Sequence, residues 1–239
     1  MSEPVIEAVD VVKVLGSGAG EVQALKGVSV ALGAGELALL MGPSGSGKTT
    51  LLSILGCMLT PNGGTVRVRG HDTAGQEPEE LADLRRRHIG FVFQSYHLFP
   101  TLNATDNVRL VLDVRGEYGR HAVKRAQDAL AMVGLAHKLK SYPSQLSGGE
   151  QQRVAIARAI VGDAPAILAD EPTAALDSEN GHAIMTILSD IARDKSRGVL
   201  VVTHDPRLVP FANRIVRIED GRIVGEERGP AKRKMKADA

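Results

Sequence analysis

Cysteine, aromatic rings and a surplus of either charge are what this 239-residue chain has least of. Cys57 is the sole cysteine, which excludes an internal disulfide and suits a reducing compartment. Its expected role is that of a small apolar side chain in a core. Tryptophan is absent, and no Phe or Tyr precedes Phe91. Twenty-nine Lys and Arg against 28 Asp and Glu leave a formal net charge of +1. That balance gives the protein as a whole no attraction to nucleic acid or anionic lipid. No apolar run reaches the ~20 residues a membrane-crossing helix needs, and Met1-Ser2-Glu3-Pro4 does not open a signal peptide. A membrane role is therefore expected to come through a partner. The seven histidines show no metal-ligand spacing, and no internal repeat is visible.

What is present alternates. Runs at 5–11, 28–32, 37–41, 65–69, 89–93, 166–169, 199–203, 215–218 and 222–224 predict strands. Helices are predicted over 49–59, 79–87 and 178–192, and a stretch from 103 to 160 is mostly helical, including 122–133 and 150–160. Gly16 to Gly20 and Pro61-Asn62-Gly63-Gly64 mark loops, and Asp220-Gly221 marks a hairpin turn. Strand–helix alternation on both sides of a helical insert predicts an α/β core with a helical sub-domain. The length permits one large domain or a core with a sub-domain. Arg85-Arg86-Arg87 reads as an exposed helix end. The basic stretch from Arg228, with Lys232, Arg233, Lys234 and Lys236, reads as a solvated tail. Contact with anionic lipid, at about 1 kcal/mol per charge, is the alternative for that tail.

Gly42-Pro43-Ser44-Gly45-Ser46-Gly47-Lys48-Thr49 joins an apolar strand to a predicted helix. A polyphosphate carries several negative charges, and backbone N–H groups meet them only if the chain wraps closely. Gly42, Gly45 and Gly47 allow that approach, while the helix start turns its positive end toward the phosphates. Lys48 would reach the β- and γ-phosphates and the Thr49 hydroxyl would bind Mg²⁺. A plain glycine turn is the bland alternative, and this pattern arises by chance in roughly one chain in a hundred. Further on, the apolar strand Ile167-Leu168-Ala169 ends in the carboxylates Asp170 and Glu171. Between these features lies Leu146-Ser147-Gly148-Gly149-Glu150-Gln151, which satisfies a capping box: Ser147 caps a helix and Glu150 reaches back to it. The same exposed N–H groups and helix dipole would attract an anion.

Taken together, these stretches resemble the ATPase subunit of the ABC transporter family over nearly the whole chain. The resemblance implies a P-loop NTPase (RecA-like) α/β core, an N-terminal antiparallel β sub-domain and an inserted α-helical sub-domain at approximately 95–160. All would form one ATPase domain over residues 1–239. It extends the nucleotide contacts to Ser44 and Thr50. It implies that Asp170 holds Mg²⁺ through water and that Glu171 orients or deprotonates the attacking water. Gln94, after Phe93, matches the family's Mg²⁺-sensing glutamine, and His204, after Thr203, its switch histidine at the γ-phosphate. Ser147 and Gly149 would contact the γ-phosphate held by an opposite, head-to-tail subunit, and Asp177 would link the two sites. One copy of each motif then requires a dimer, with a homodimer expected.

Glu150 to Ala159, with Gly16-Ser17-Gly18 and Val22 to Lys26, looks like the macrolide-exporter and lipoprotein-release branch. That branch implies a separate integral membrane permease, often a periplasmic adaptor, and a place on the cytoplasmic face of the inner membrane. Residues 95–107 would touch the permease, although His97, Leu98, Phe99 and Leu102 read equally as sub-domain core. One position departs from the pattern. Where most members stack adenine on a ring after the first strand, this chain has Leu15. Two other function classes fit parts of the sequence. The same ATPase could signal through a non-transporting membrane protein that controls cell-wall enzymes. A soluble nucleic-acid-processing ABC ATPase would usually carry tandem units, coiled-coil inserts or zinc modules, and none is present; no nucleic-acid partner is expected. A nucleotide kinase would explain the phosphate loop but not Leu146 to Gln151.

Overall fold

The computed structural model describes residues 3–230, so the basic stretch with Lys232, Arg233, Lys234 and Lys236 lies outside the described residues. Two sheets face one another. The first is antiparallel, in the order β2 (Val22–Leu32), β1 (Ile6–Leu15), β4 (Gly63–Val68), β5 (His71–Asp72). The second runs β10 (Arg222–Arg228), β9 (Arg214–Glu219), β3 (Glu36–Met41), β8 (Gly198–Thr203), β7 (Ala166–Asp170), β6 (Ile89–Val92). Its pairings are parallel except for the β9–β10 hairpin. That hairpin turns at Asp220 and Gly221, both at positive φ (44° and 71°), the backbone that this dipeptide favours.

Side-chain alternation along β3 divides the core. Ala38 and Leu40 join the layer between the sheets, with Leu51, Leu52, Ile54 and Leu55 of α1 (Lys48–Leu55). Leu37, Leu39 and Met41 point to the other face. There they meet the layer built by α3 (Ala104–Val114), α4 (Gly119–Met132), α5 (Gly148–Ile160) and α6 (Ser178–Ala192). A sheet covered on both faces explains why every residue of β8 is buried and why Val199 to Val202 run apolar without a break. Helices α3 to α5 are inserted between β6 and β7, and α2 (Pro78–His88) precedes β6.

Three expectations need correction. Helix α1 stops at Leu55, not at residue 59. Gly56 packs under the Phe91 ring, where a Cβ would lie 1.9 Å from that ring, and Cys57 turns the chain at φ 55°. The first hairpin is longer than its apolar runs, because β2 begins at Val22 and β1 continues to Leu15 through three register irregularities that break the alternation. Arg85 is not a free helix end, since its guanidinium donates to the Cys57 carbonyl at 2.6 Å. Cys57 itself is buried, and that burial pushes its thiol up to about 11, against a smaller lowering by Arg85.

Candidate functional site

Strand register brings the predicted residues to one edge. Met41 of β3 lies opposite Thr203 of β8, Val202 of β8 opposite Asp170 of β7, and Ala169 of β7 opposite Val92 of β6. The loop beginning at Gly42, and His204, Glu171 and Gln94, therefore all emerge from the carboxyl ends of neighbouring parallel strands. In open α/β sheets this is the edge where ligands bind.

The loop from Gly42 to Thr50 is shaped by contacts that only glycine allows. A Cβ on Gly42 would lie 2.0 Å from the Ile218 carbonyl oxygen, and one on Gly47, at φ 98°, would lie 2.6 Å from that of Ala24. Gly45, at φ 78°, instead faces open space, beside exposed Ser44. Buried Lys48 donates from Nζ to the carbonyls of Gly42 and Pro43, both at 2.8 Å, so the loop wraps its own ammonium group. Ser46 Oγ is buried without a hydrogen-bond partner among the described residues. The first N–H groups of α1, at Lys48, Thr49 and Thr50, have no acceptor inside the helix. An open glycine rim, an orphan hydroxyl, unused N–H groups and a buried cation suit a phosphate chain.

Beside the loop, the Asp170 carboxylate accepts from the Thr49 hydroxyl at 3.4 Å. Burial raises the Asp170 pKa, an effect the Thr49 hydrogen bond opposes and the Glu171 charge reinforces. Glu171 sits at φ 45°, a left-handed conformation costing a non-glycine residue about 1–3 kcal/mol and typical of functional sites. Three contacts hold it there. Its N–H donates to the Val202 carbonyl at 3.0 Å, His204 Nδ1 lies 2.6 Å from Oε1, and the Thr203 hydroxyl donates to Oε2 at 3.3 Å. Gln94 is exposed two residues beyond Val92 and makes no hydrogen bond among the described residues.

Ser147, Gly149 and Asp177 form a second group. Ser147 caps α5, accepting from the Glu150 N–H at 3.3 Å, and its own N–H donates to the Glu150 carboxylate at 2.8 Å. That backbone bond is the main reason the Glu150 carboxyl lies below its usual range. Asp177 caps α6 through Asn180 N–H at 2.9 Å and accepts from the Asn180 amide at 2.7 Å. A Cβ on Gly149 would lie 2.6 Å from Asn180 Oδ1, so the two helix starts touch. No hydrogen bond among the described residues joins 147–150 to 42–50.

Residues 25–174 match the family model described as ABC transporter. The chain belongs to the ABC transporter family. It is 45% identical over 221 residues to the macrolide export ATP-binding/permease protein MacB of Escherichia coli K12, covering 92% of this chain and 34% of that one. With the MacB protein of Burkholderia thailandensis the figures are 44% over 230 residues, 96% and 35%. The chain thus spans about a third of the length of the curated relatives it matches. A solved ATP-binding cassette, dimeric in a post-hydrolysis state with ADP and Pi, superposes with TM-score 0.86 at 41% identity, over 93% of this chain and 98% of that one. A second dimeric structure, described as a bacterial ABC transporter cassette, gives TM-score 0.86 at 42% identity. The chain accordingly has the P-loop NTPase fold of the ABC cassettes.

Two surfaces bear on how this ABC cassette works. Leu15 and Val22 are Cα partners at the end of the first hairpin and are 39% and 63% exposed. Both therefore face the same side as a bare aliphatic pair. Elsewhere, a groove of about 760 Å³ opens between Ile89, Phe91 and Phe93 on one wall and Leu110, Val111 and Val114 of α3 on the other. Leu98 packs on the core, whereas Phe99 is half-exposed and the His97 ring lies tilted against Phe93, centroids 4.7 Å apart, beside the groove.

Sequence reasoning missed Thr203 and Asn180. Thr203 carried a weak signal, a hydroxyl closing an apolar strand just before His204. Asn180 carried none, because only the packing of α6 on α5 brings it to Gly149.

Proposed function

We propose that this chain is the ATPase of a membrane ABC exporter of the macrolide-export or lipoprotein-release type, working as a head-to-tail dimer that powers a separate permease. The observation that carries the reading is the separation of the two groups. The capped start of α5 offers Ser147 and Gly149 as an anion site, yet it shares no hydrogen bond with the loop that would hold the anion. A second copy supplies the missing half, and the dimeric cassettes that superpose on this chain support that arrangement.

Within each composite site, Gly42, Ser44, Gly45, Gly47, Lys48, Thr49 and Thr50 wrap the phosphates. The Thr49 hydroxyl, the Asp170 carboxylate and the Gln94 amide are hard oxygen donors suited to Mg²⁺. No group of three or more His, Cys, Asp or Glu side chains among the described residues could hold a metal ion, so substrate phosphates would have to complete the shell. When bound, the ion neutralises charge on the phosphate oxygens. Glu171 orients the attacking water and takes its proton, with Thr203 and His204 fixing both carboxylate oxygens. His204 is largely exposed beside Glu171 and would meet the γ-phosphate. Asp177, beside the start of α5, links the two sites of the dimer.

No helix among the described residues is long and apolar enough to cross a membrane. The relatives named ATP-binding/permease proteins extend well beyond the part this chain matches, which supports a permease as partner. Its cytoplasmic helix would dock in the groove between β6 and α3, holding the cassette on the inner face of the membrane. A periplasmic adaptor on the far side belongs to the same reading, as does one domain over residues 1–239 with a helical sub-domain at approximately 95–160. Affinity purification from detergent-solubilised membranes tests it. A multi-span membrane protein should co-purify with the cassette, and recovery of nucleic acid in a salt-sensitive complex would contradict the reading.

Leu15 supplies a test of the nucleotide itself. Base–aromatic stacking contributes about 1–3 kcal/mol, so an aliphatic pair in its place weakens adenine binding by roughly ten- to a hundredfold. Leu15→Tyr should therefore raise ATP affinity and create a preference for ATP over GTP that the parent lacks, as read by competition titration. Equal ATP affinities in the two chains would remove the idea.

A further inference from the structure

The start of α5 sets two charges against each other. Its N–H groups and the positive end of its dipole suit an anion, yet its first turn also carries the Glu150 carboxylate. That group is held in its ionised form, first by the Ser147 N–H and then, against a smaller opposing effect of burial, by Lys138. Glu150 Oε2 lies 2.8 Å from the Ser147 nitrogen, and Ser147 is exposed. A phosphate arriving at Ser147 therefore meets a like charge no farther off than roughly the 8 Å screening length at physiological salt.

A cation from another element answers it. Lys138, in the loop between α4 and α5, brings Nζ to 3.2 Å from Glu150 Oε1. Each carboxylate oxygen thus has its own partner, and Lys138 is the charged one. Backbone bonds set the place of Lys138. Its N–H donates to the Leu135 carbonyl and its carbonyl accepts from the Ser141 N–H, both at 3.0 Å. The next residue, Leu139, accepts at its carbonyl from the N–H and the hydroxyl of Thr105 on α3, at 3.0 and 2.9 Å. The Lys138 and Glu150 side chains are 30% and 25% exposed, and an ion pair that open to solvent contributes little to stability. Its effect falls instead on the charge presented beside Ser147.

We propose that Lys138 is a positioning residue that acts through Glu150: by neutralising this carboxylate it keeps the start of α5 attractive to the γ-phosphate held by the opposite protomer. The inference rests on the two-protomer reading above. It accounts for a helix start that uses an acid to complete its capping box and still receives an anion.

The experiment uses the Glu171→Gln chain at low ionic strength and reads the ATP concentration at which it dimerises, by light scattering, alongside its ADP affinity. Lys138→Met should raise the ATP requirement by about three- to tenfold, the screened repulsion from one uncompensated carboxylate, while ADP affinity stays within about twofold. Lys138→Arg keeps the charge and should match the parent. Adding Glu150→Gln to the Lys138→Met chain removes the carboxylate but keeps the capping box, and should return the requirement to within about twofold of the parent's. Near 1 M salt, where the screening length falls to about 3 Å, the effect of Lys138→Met should largely vanish. Dimerisation of the Lys138→Met chain at the parent's ATP concentration overturns the proposal. So does a loss that Glu150→Gln does not repair, which would make Lys138 a tether for its loop. A parallel loss of ADP affinity, the mark of a general structural role, overturns it as well. If the Glu171→Gln parent itself never dimerises with ATP, the two-protomer reading fails, and this inference with it.

Discussion

Replacing Glu171 by Gln lowers ATP turnover by about 10²–10⁴, the usual contribution of a positioned base, while ATP stays bound and a stable dimer accumulates. The substitution is chosen for what it keeps. Gln has the same length, so the Thr203 hydroxyl at 3.3 Å and the His204 ring at 2.6 Å retain an oxygen or amide to meet. The backbone bond from residue 171 to the Val202 carbonyl is untouched. What disappears is the ability to accept a proton from water. The measurement is steady-state phosphate release with size-exclusion chromatography in ATP. Full turnover in the variant would exclude Glu171 as the base.

Lys48→Ala should weaken ATP binding by about ten- to a hundredfold, from loss of an interaction between a charged donor and phosphate oxygens. ADP binding should fall less, because the ammonium group would reach the β- and γ-phosphates. Lys48 is buried and already holds the Gly42 and Pro43 carbonyls at 2.8 Å, so its removal also leaves two loop acceptors without their donor. Isothermal titration with both nucleotides separates these effects. An equal loss for ATP and ADP would point to a collapsed loop, and no loss would remove Lys48 from the site.

Much of this architecture could be read from residues whose chemistry is local. Helix α6 occupies the residues predicted for it, and Asp177, expected only to link two sites, caps its start. The Ser147–Glu150 capping box and the Asp220-Gly221 turn also stand where they were predicted. Where tertiary packing overrides the local pattern, the reading slipped. Residues 56–59 continue α1's apolar period, but the Phe91 ring over Gly56 ends the helix. The first hairpin hid its length because bulged register spoils alternation. Within the site, the loop, the two carboxylates, Gln94 and His204 were legible because each follows an apolar strand. The supports were not: Thr203 meets Glu171 across 32 residues and Asn180 meets Gly149 across 31, contacts that only the fold brings together.

The most direct measurement is the specific ATPase activity of the parent chain at saturating ATP across a dilution series, with molecular mass followed in the same samples. A catalytic centre completed by another cassette's helix start predicts activity per molecule that climbs with protein concentration and tracks the dimer fraction. Undiminished activity per molecule in samples that are wholly monomeric would contradict it.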